Sequence, residues 1–157
     1  MWFDQVDSWS NERFKNGCFG YFLGGEFVFS MKSTLGVDFY RLKSMYSMGN
    51  SVEDEELFKL PDQVAYKNLC SRSFPPLDSD AENSDFRYLV SAESLSDDGW
   101  YVFLVEFGTQ AKLIFGFEND PNSVGQVVLE RGEFQRVVAE SIEKSGCLIS
   151  HPSTDLD

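Results

Sequence analysis

Apolar and polar positions alternate most clearly near the start of the chain. Residues Asn16 to Ser30 read Asn-Gly-Cys-Phe-Gly-Tyr-Phe-Leu-Gly-Gly-Glu-Phe-Val-Phe-Ser. Two aromatic-rich runs flank Gly24-Gly25. Both central residues of a two-residue type I′ turn need positive φ, which glycine adopts without steric cost. The pattern predicts a β-hairpin with strands over about 17–23 and 26–30. From Thr34 the period lengthens. Leu35, Phe39, Leu42 and Tyr46 follow one another at steps of four, three and four, which is one face of a helix. A helix over 35–48 is expected, with Ser33 or Thr34 supplying the N-cap oxygen and Gly49-Asn50 ending it.

Between residues 50 and 85 the periodicity fades. This long acidic segment holds Glu53-Asp54-Glu55-Glu56, then Pro61, Pro75-Pro76 and the run from Asp78 to Asp85. A short helix over 62–70 can cover a sheet edge with Val64 and Leu69, and the rest reads as loop. Irregular segments of this length in a compact domain are either functional or mobile. The β signal returns at Phe86. Strands are predicted over 86–91, 100–107, 110–117 and 124–130, separated by Asp97-Asp98-Gly99, Gly108-Thr109 and Asn119-Asp120-Pro121. A second helix over 133–144 aligns Phe134, Val137, Val138 and Ile142, and Gly146 stands where a C-cap glycine belongs. Neither an internal repeat nor a linker between two cores is evident. The expected fold class is α+β: a single domain over 1–149, an antiparallel β-sheet with two main helices packed on it, then a polar tail over 150–157.

Composition sharpens this picture. The chain has 157 residues, 42% of them hydrophobic and 15 of them Phe, enough for one folded core. No run approaches the roughly 20 apolar residues that span a bilayer, and Met1-Trp2-Phe3-Asp4 lacks the basic-then-apolar order of a signal peptide. Cys18, Cys70 and Cys147 are odd in number and widely spaced, which suits reduced thiols in the cytoplasm rather than a disulfide framework or a zinc site. Asp and Glu number 26 against 13 Lys and Arg, a formal net charge of −13. Such a field repels nucleic acid and anionic membranes and attracts basic proteins.

Little in the sequence suits catalysis. The one histidine, His151, sits before Pro152 in the polar tail, where nothing fixes the geometry a general base requires. Gly17, Gly20, Gly24 and Gly25 are followed by no Gly-Lys-Ser/Thr and make no phosphate loop. Asp78, Asp80 and Glu82 match the first, third and fifth ligands of a calcium loop, but Asn83 replaces its glycine and Leu89 its closing glutamate. No catalytic, cofactor-binding or metal-binding residue is therefore assigned. The candidate partner-binding residues are Glu53, Asp54, Glu55, Glu56, Asp78, Asp80, Glu82 and Asp85, chosen for their charge density in the longest irregular segment. The plainer reading of either run is a charged loop that keeps a Phe-rich chain soluble. Trp9, just before the hairpin, reads as a packing residue more than a contact. Aromatics on an unpaired hairpin edge suit a dimer, and Phe-rich strands equally suit a core, so the oligomeric state stays open.

One segment carries a family resemblance. Val6-Asp7-Ser8-Trp9-Ser10, Phe14, Asn16-Gly17, Phe22 and Gly25-Glu26 resemble the opening of bacterial polymorphic-toxin immunity proteins of the family called immunity protein forty-two. The later pattern Leu129-Glu130-Arg131-Gly132-Glu133-Phe134 is compatible with it. Members of that family carry a longer first strand, of which Met1-Trp2-Phe3 is expected to be the end. The resemblance implies a non-enzymatic cytoplasmic antidote that binds a cognate toxin domain, with a basic nuclease as the expected kind of toxin. Two other readings remain open on the residues alone: an acidic nucleic-acid mimic that blocks DNA-binding proteins, and a metal-dependent enzyme using paired carboxylates.

Overall fold

A computed structural model describes residues 1–78 and 83–147. The strands form two antiparallel three-stranded sheets. The first contains β1 (Trp2–Gln5), β2 (Asn16–Leu23) and β3 (Glu26–Thr34), in that spatial order. The second contains β4 (Trp100–Phe107), β5 (Gln110–Phe117) and β6 (Gly125–Glu130), also in sequence order. The helices are α1 (Leu35–Lys43), α2 (Glu55–Lys59), α3 (Asp62–Ser73), α4 (Glu93–Asp97) and α5 (Glu133–Ser145). The first hairpin turns where its glycines predicted, with φ of 59° at Gly24 and 94° at Gly25.

Period-two alternation decides what each strand buries. Phe19, Tyr21, Leu23 and Val28 point inward from the first sheet and meet Phe39 and Leu42 of α1, Leu95 of α4, and Phe134 and Val138 of α5 in one continuous core. The Tyr21 hydroxyl donates to the Val90 carbonyl at 2.8 Å and ties this sheet to the segment beside β4. The second sheet is buried more completely: Val102 to Val105 and Leu113 to Phe115 all have 3% exposure or less. Its other face is covered by α2 and α3. Tyr66 of α3 lies edge-on to Phe103 and over Gly116, where an added Cβ would come within 2.7 Å of the ring. The free edge of β4 is closed by backbone bonds to Val52, Asp54, Tyr88 and Val90, which prevents the edge from pairing with another chain.

A buried carboxylate joins three elements. Asp38 of α1 is 1% exposed and accepts from the Ser33 hydroxyl at 2.5 Å, the Ser94 hydroxyl at 2.6 Å and the Ser94 backbone N–H at 2.9 Å. The hydroxyls of β3 and α4 are thereby held against α1. Ser33 is thus no N-cap. Thr34 occupies the cap position, but its hydroxyl donates to the Asn16 side chain and accepts no N–H of the helix.

Several expectations are corrected. The α+β class holds, but the strands form two sheets rather than one, and among the described residues three further helices accompany the two main ones. The first helix stops at Lys43: Ser44 still donates to the Tyr40 carbonyl through both its N–H and its hydroxyl, but Met45 is extended and Tyr46–Met48 makes a separate 3-10 turn. Residues 86–91 form no named strand. The backbone turns there, with the Leu89 N–H on the Phe86 carbonyl, and only one bridge forms, between Leu89 and Phe103. The segment expected as loop folds around Asp54, whose carboxylate caps α2 through the Leu57 N–H at 2.9 Å. The expected short helix is α3, three residues longer than the predicted 62–70. At the end of α5, Gly146 takes the left-handed conformation at φ 62°, as a C-cap glycine should. His151 and the polar tail lie outside the described residues.

Candidate partner-binding surfaces

The acidic residues singled out in the sequence serve different purposes. Glu53 accepts from Arg131 at 2.8 Å, and the same guanidinium reaches the buried Glu106 at 3.2 Å and the Ser51 hydroxyl at 2.6 Å. The Glu53 hydrogen bond raises the Arg131 pKa first, with the charges of Glu106 and Glu53 acting in the same direction. Asp54, besides capping α2, accepts from the Tyr88 hydroxyl at 3.1 Å and stands 3.8 Å from Arg72. Glu55 pairs along the helix with Lys59. Asp85 takes a two-point grip from Arg87 at 2.9 and 2.8 Å, and that hydrogen bonding holds its carboxyl below the ordinary aspartate value. Glu56 and Asp78 are exposed, and neither side chain bonds to another described residue. Asp80 and Glu82 lie outside the described residues. The run 53–56 thus borders Arg131 and Arg72, and much of its charge is internally balanced.

A second surface is aromatic, and the sequence reading did not single it out. Directly paired residues share a face of a sheet. Trp2 pairs with Gly20 and Gly20 with Phe29, so these three make one row across the first sheet. Phe22 pairs with Phe27 in the next row, on the same outer face. The rings of Phe22 and Phe27 stack with centroids 4.3 Å apart and planes at 15°, and those of Phe27 and Phe29 at 4.9 Å and 11°. Trp2 meets Phe27 edge-on at 5.4 Å. Gly20 makes this possible: a Cβ there would sit 2.7 Å from the Phe27 ring and 2.9 Å from the Phe29 Cβ. Phe22 remains 63% exposed and Phe29 43%. The signal was present as Gly20, Phe22, Phe27 and Phe29 at alternate positions. Phe19, Tyr21 and Val28 already supply the inward face, so a second aromatic face has to point elsewhere.

Two open depressions lie elsewhere on the described surface. One, of about 640 Å³, lies at the end of the second sheet between Gln110, Val128, Glu130, Arg131 and Glu133. The other, of about 350 Å³, lies between Arg41, Tyr46, Asp85 and Arg87. Among the described residues no three His, Cys, Asp or Glu side chains gather in a way that could hold a metal ion, and no helix is long and apolar enough to cross a membrane. The three cysteines are free, and burial pushes the Cys70 thiol up to about 11, against a weaker opposing hydrogen bond from Tyr66.

The family model described as Immunity protein 42 matches residues 1–144. The crystal structure of CdiI from Burkholderia dolosa AUO158 is similar at a TM-score of 0.88 and 55% identity, covering 91% of this chain and 92% of that one. No protein of curated function matches the chain.

Proposed function

The chain belongs to the immunity protein 42 family, and from that premise we propose that it neutralises a cognate bacterial toxin by direct stoichiometric binding in the cytoplasm, without catalysis of its own. The family match over 1–144, together with the CdiI structure, carries this reading. The charge of −13 favours a basic toxin domain, such as a nuclease, because an acidic antidote attracts it from a distance. Glu53, Asp54, Glu55, Glu56, Asp78, Asp80, Glu82 and Asp85 are the proposed acidic contacts. The geometry ranks them: Glu56 and Asp78 are exposed and unpaired among the described residues, whereas Asp54 and Asp85 already serve the fold.

The test is co-expression with the toxin domain of a candidate toxin gene neighbouring this one. The expected result is a one-to-one complex that co-purifies and restores growth. A toxin that kills equally well with and without this protein would refute the proposal. Substituting Glu56→Lys and Asp78→Lys together should slow association and flatten its salt dependence. Unchanged association at every salt concentration would remove these acids from the contact.

A further inference from the structure

The stacked rings on the outer face of the first sheet answer a question the acidic runs leave open, namely what holds a bound partner in place. Long-range charge sets how fast two proteins meet, while buried aromatic anchors set how long they stay together. Phe22, Phe27 and Phe29 form a pile of three nearly parallel rings, braced edge-on by Trp2. A pile of this kind gives up little conformational freedom on binding, because the rings already hold one another. It is a built feature: Gly20 leaves the space that the Phe27 ring occupies.

The charge around the pile identifies what it fits. Asp4 pairs with Cys18 and therefore stands on the same face as Trp2 and Gly20, two residues along β1 from Trp2. Glu26 pairs with the inward-facing Leu23 and so leaves this face at the hairpin end. In β1 and β2 there is no Lys or Arg, and the one Lys of β3, Lys32, pairs with Asp98 at 3.3 Å. The face is thus aromatic with one exposed acid, Asp4, beside the rings. The faces of aromatic rings are themselves attractive to guanidinium and ammonium groups. A second copy of this chain would bring the same acid, and another net charge of −13, against it. A basic protein surface brings the opposite sign.

We infer that the outer face of the first sheet, centred on Phe22, Phe27 and Phe29, is the anchoring surface for the basic toxin domain, which it engages through Arg- or Lys-bearing and apolar side chains. This rests on the immunity reading above and assigns to that reading a surface which the acidic runs do not include. Charge and anchoring are then divided between two parts of the molecule.

The experiment is biolayer interferometry with the candidate toxin domain used in the co-expression test, comparing the wild-type chain with Phe22→Thr/Phe29→Thr and with the single variant Phe22→Lys, each checked by thermal melting. Wild type should bind and protect cells. The double variant should melt as wild type does, associate within about threefold of the wild-type rate, and dissociate at least about 100-fold faster, as loss of paired hot-spot residues does. Phe22→Lys, at the most exposed ring, should dissociate at least about tenfold faster and serves if the double variant does not fold. Folded variants that bind and protect like wild type overturn the assignment and leave the immunity reading intact. A wild-type dimer that these substitutions dissolve while toxin affinity persists also overturns it, because the face then belongs to a second copy. A wild-type chain that neither binds nor protects overturns both readings.

Discussion

Replacing Asp38 tests whether a buried carboxylate with no ion-pair partner supports this fold or burdens it. Asp38 is 1% exposed, forms no ion pair among the described residues, and accepts three hydrogen bonds from Ser33 and Ser94. Two effects oppose one another in Asp38→Ala. Removing a buried charge and placing Ala in a helix both favour folding, the latter by up to about 0.7 kcal/mol. Against this, hydrogen bonds to a charged group contribute about 1.5–3 kcal/mol each, and a buried donor left without a partner costs about 1–3 kcal/mol. The Ser33 and Ser94 hydroxyls can rotate toward other acceptors, but the Ser94 N–H cannot. The donor losses outweigh the gains, and a net destabilisation of about 3 kcal/mol is expected. For a chain of this length that lowers the melting temperature by roughly 6–12 °C. Asp38→Asn keeps one oxygen for the Ser94 N–H and should cost about half as much. Urea unfolding followed by circular dichroism gives both values, with unchanged m as the control for two-state behaviour. If Asp38→Ala lost under 1 kcal/mol, or gained stability, the charge would be the burden and the hydrogen-bond argument would be wrong.

Three further outcomes follow from other sites. Asp54→Ala should cost about 1–2 kcal/mol in the same urea assay, since it removes the α2 cap and the acceptor of the Tyr88 hydroxyl; wild-type stability would show that the cap is not needed. Gly116→Ala should cost about 1–3 kcal/mol, because the new methyl meets the Tyr66 ring and the chain must shift to admit it; a melting temperature equal to wild type would contradict this packing. The Asp85 carboxyl is depressed in the folded state by its Arg87 hydrogen bond, so its contribution is full above the ordinary aspartate value of 3.8 and is lost as pH falls below it. Stability of Asp85→Asn relative to wild type should accordingly converge toward acid pH. A gap that is constant from neutral pH to pH 2 would refute the linkage. The effect should be small at this partly exposed pair.

The hairpin and the last helix were legible in the sequence because one local rule decided each: two glycines that both need positive φ, and an apolar stripe ended by a glycine. The second sheet was legible for a similar reason, as runs of apolar residues cut by Asp, Gly and Pro. The segment 86–91 looked like a strand because its residues suit one. What it lacks is a continuous partner, and pairing is a tertiary event that composition does not report. The single turns α2 and α4 are too short to show a period. Asp54 registered as part of a charge run, although its position three residues before Leu57 is what makes it a cap. The candidate surface shows the same asymmetry. Acidic runs stand out by residue type, whereas a ring stack depends on which strand faces which. Trp2 and Phe29 are far apart in sequence and meet only through Gly20.

The strand order also governs how the chain reaches this structure. In each sheet the neighbours in space are neighbours in sequence, so every ladder closes a short loop and little chain entropy opposes it. The whole first sheet and α1 lie before Ser44, so they can pair while the second sheet is still being synthesised. Joining the halves is different. The Tyr21 hydroxyl waits for the Val90 carbonyl, 69 residues later, and the Asp38 carboxylate waits for Ser94. The folding rate should therefore be set by docking of preformed sheets rather than by their formation. Substitutions at the Asp38 cluster would then slow refolding, whereas substitutions within either hairpin turn would act before that step and leave its rate unchanged.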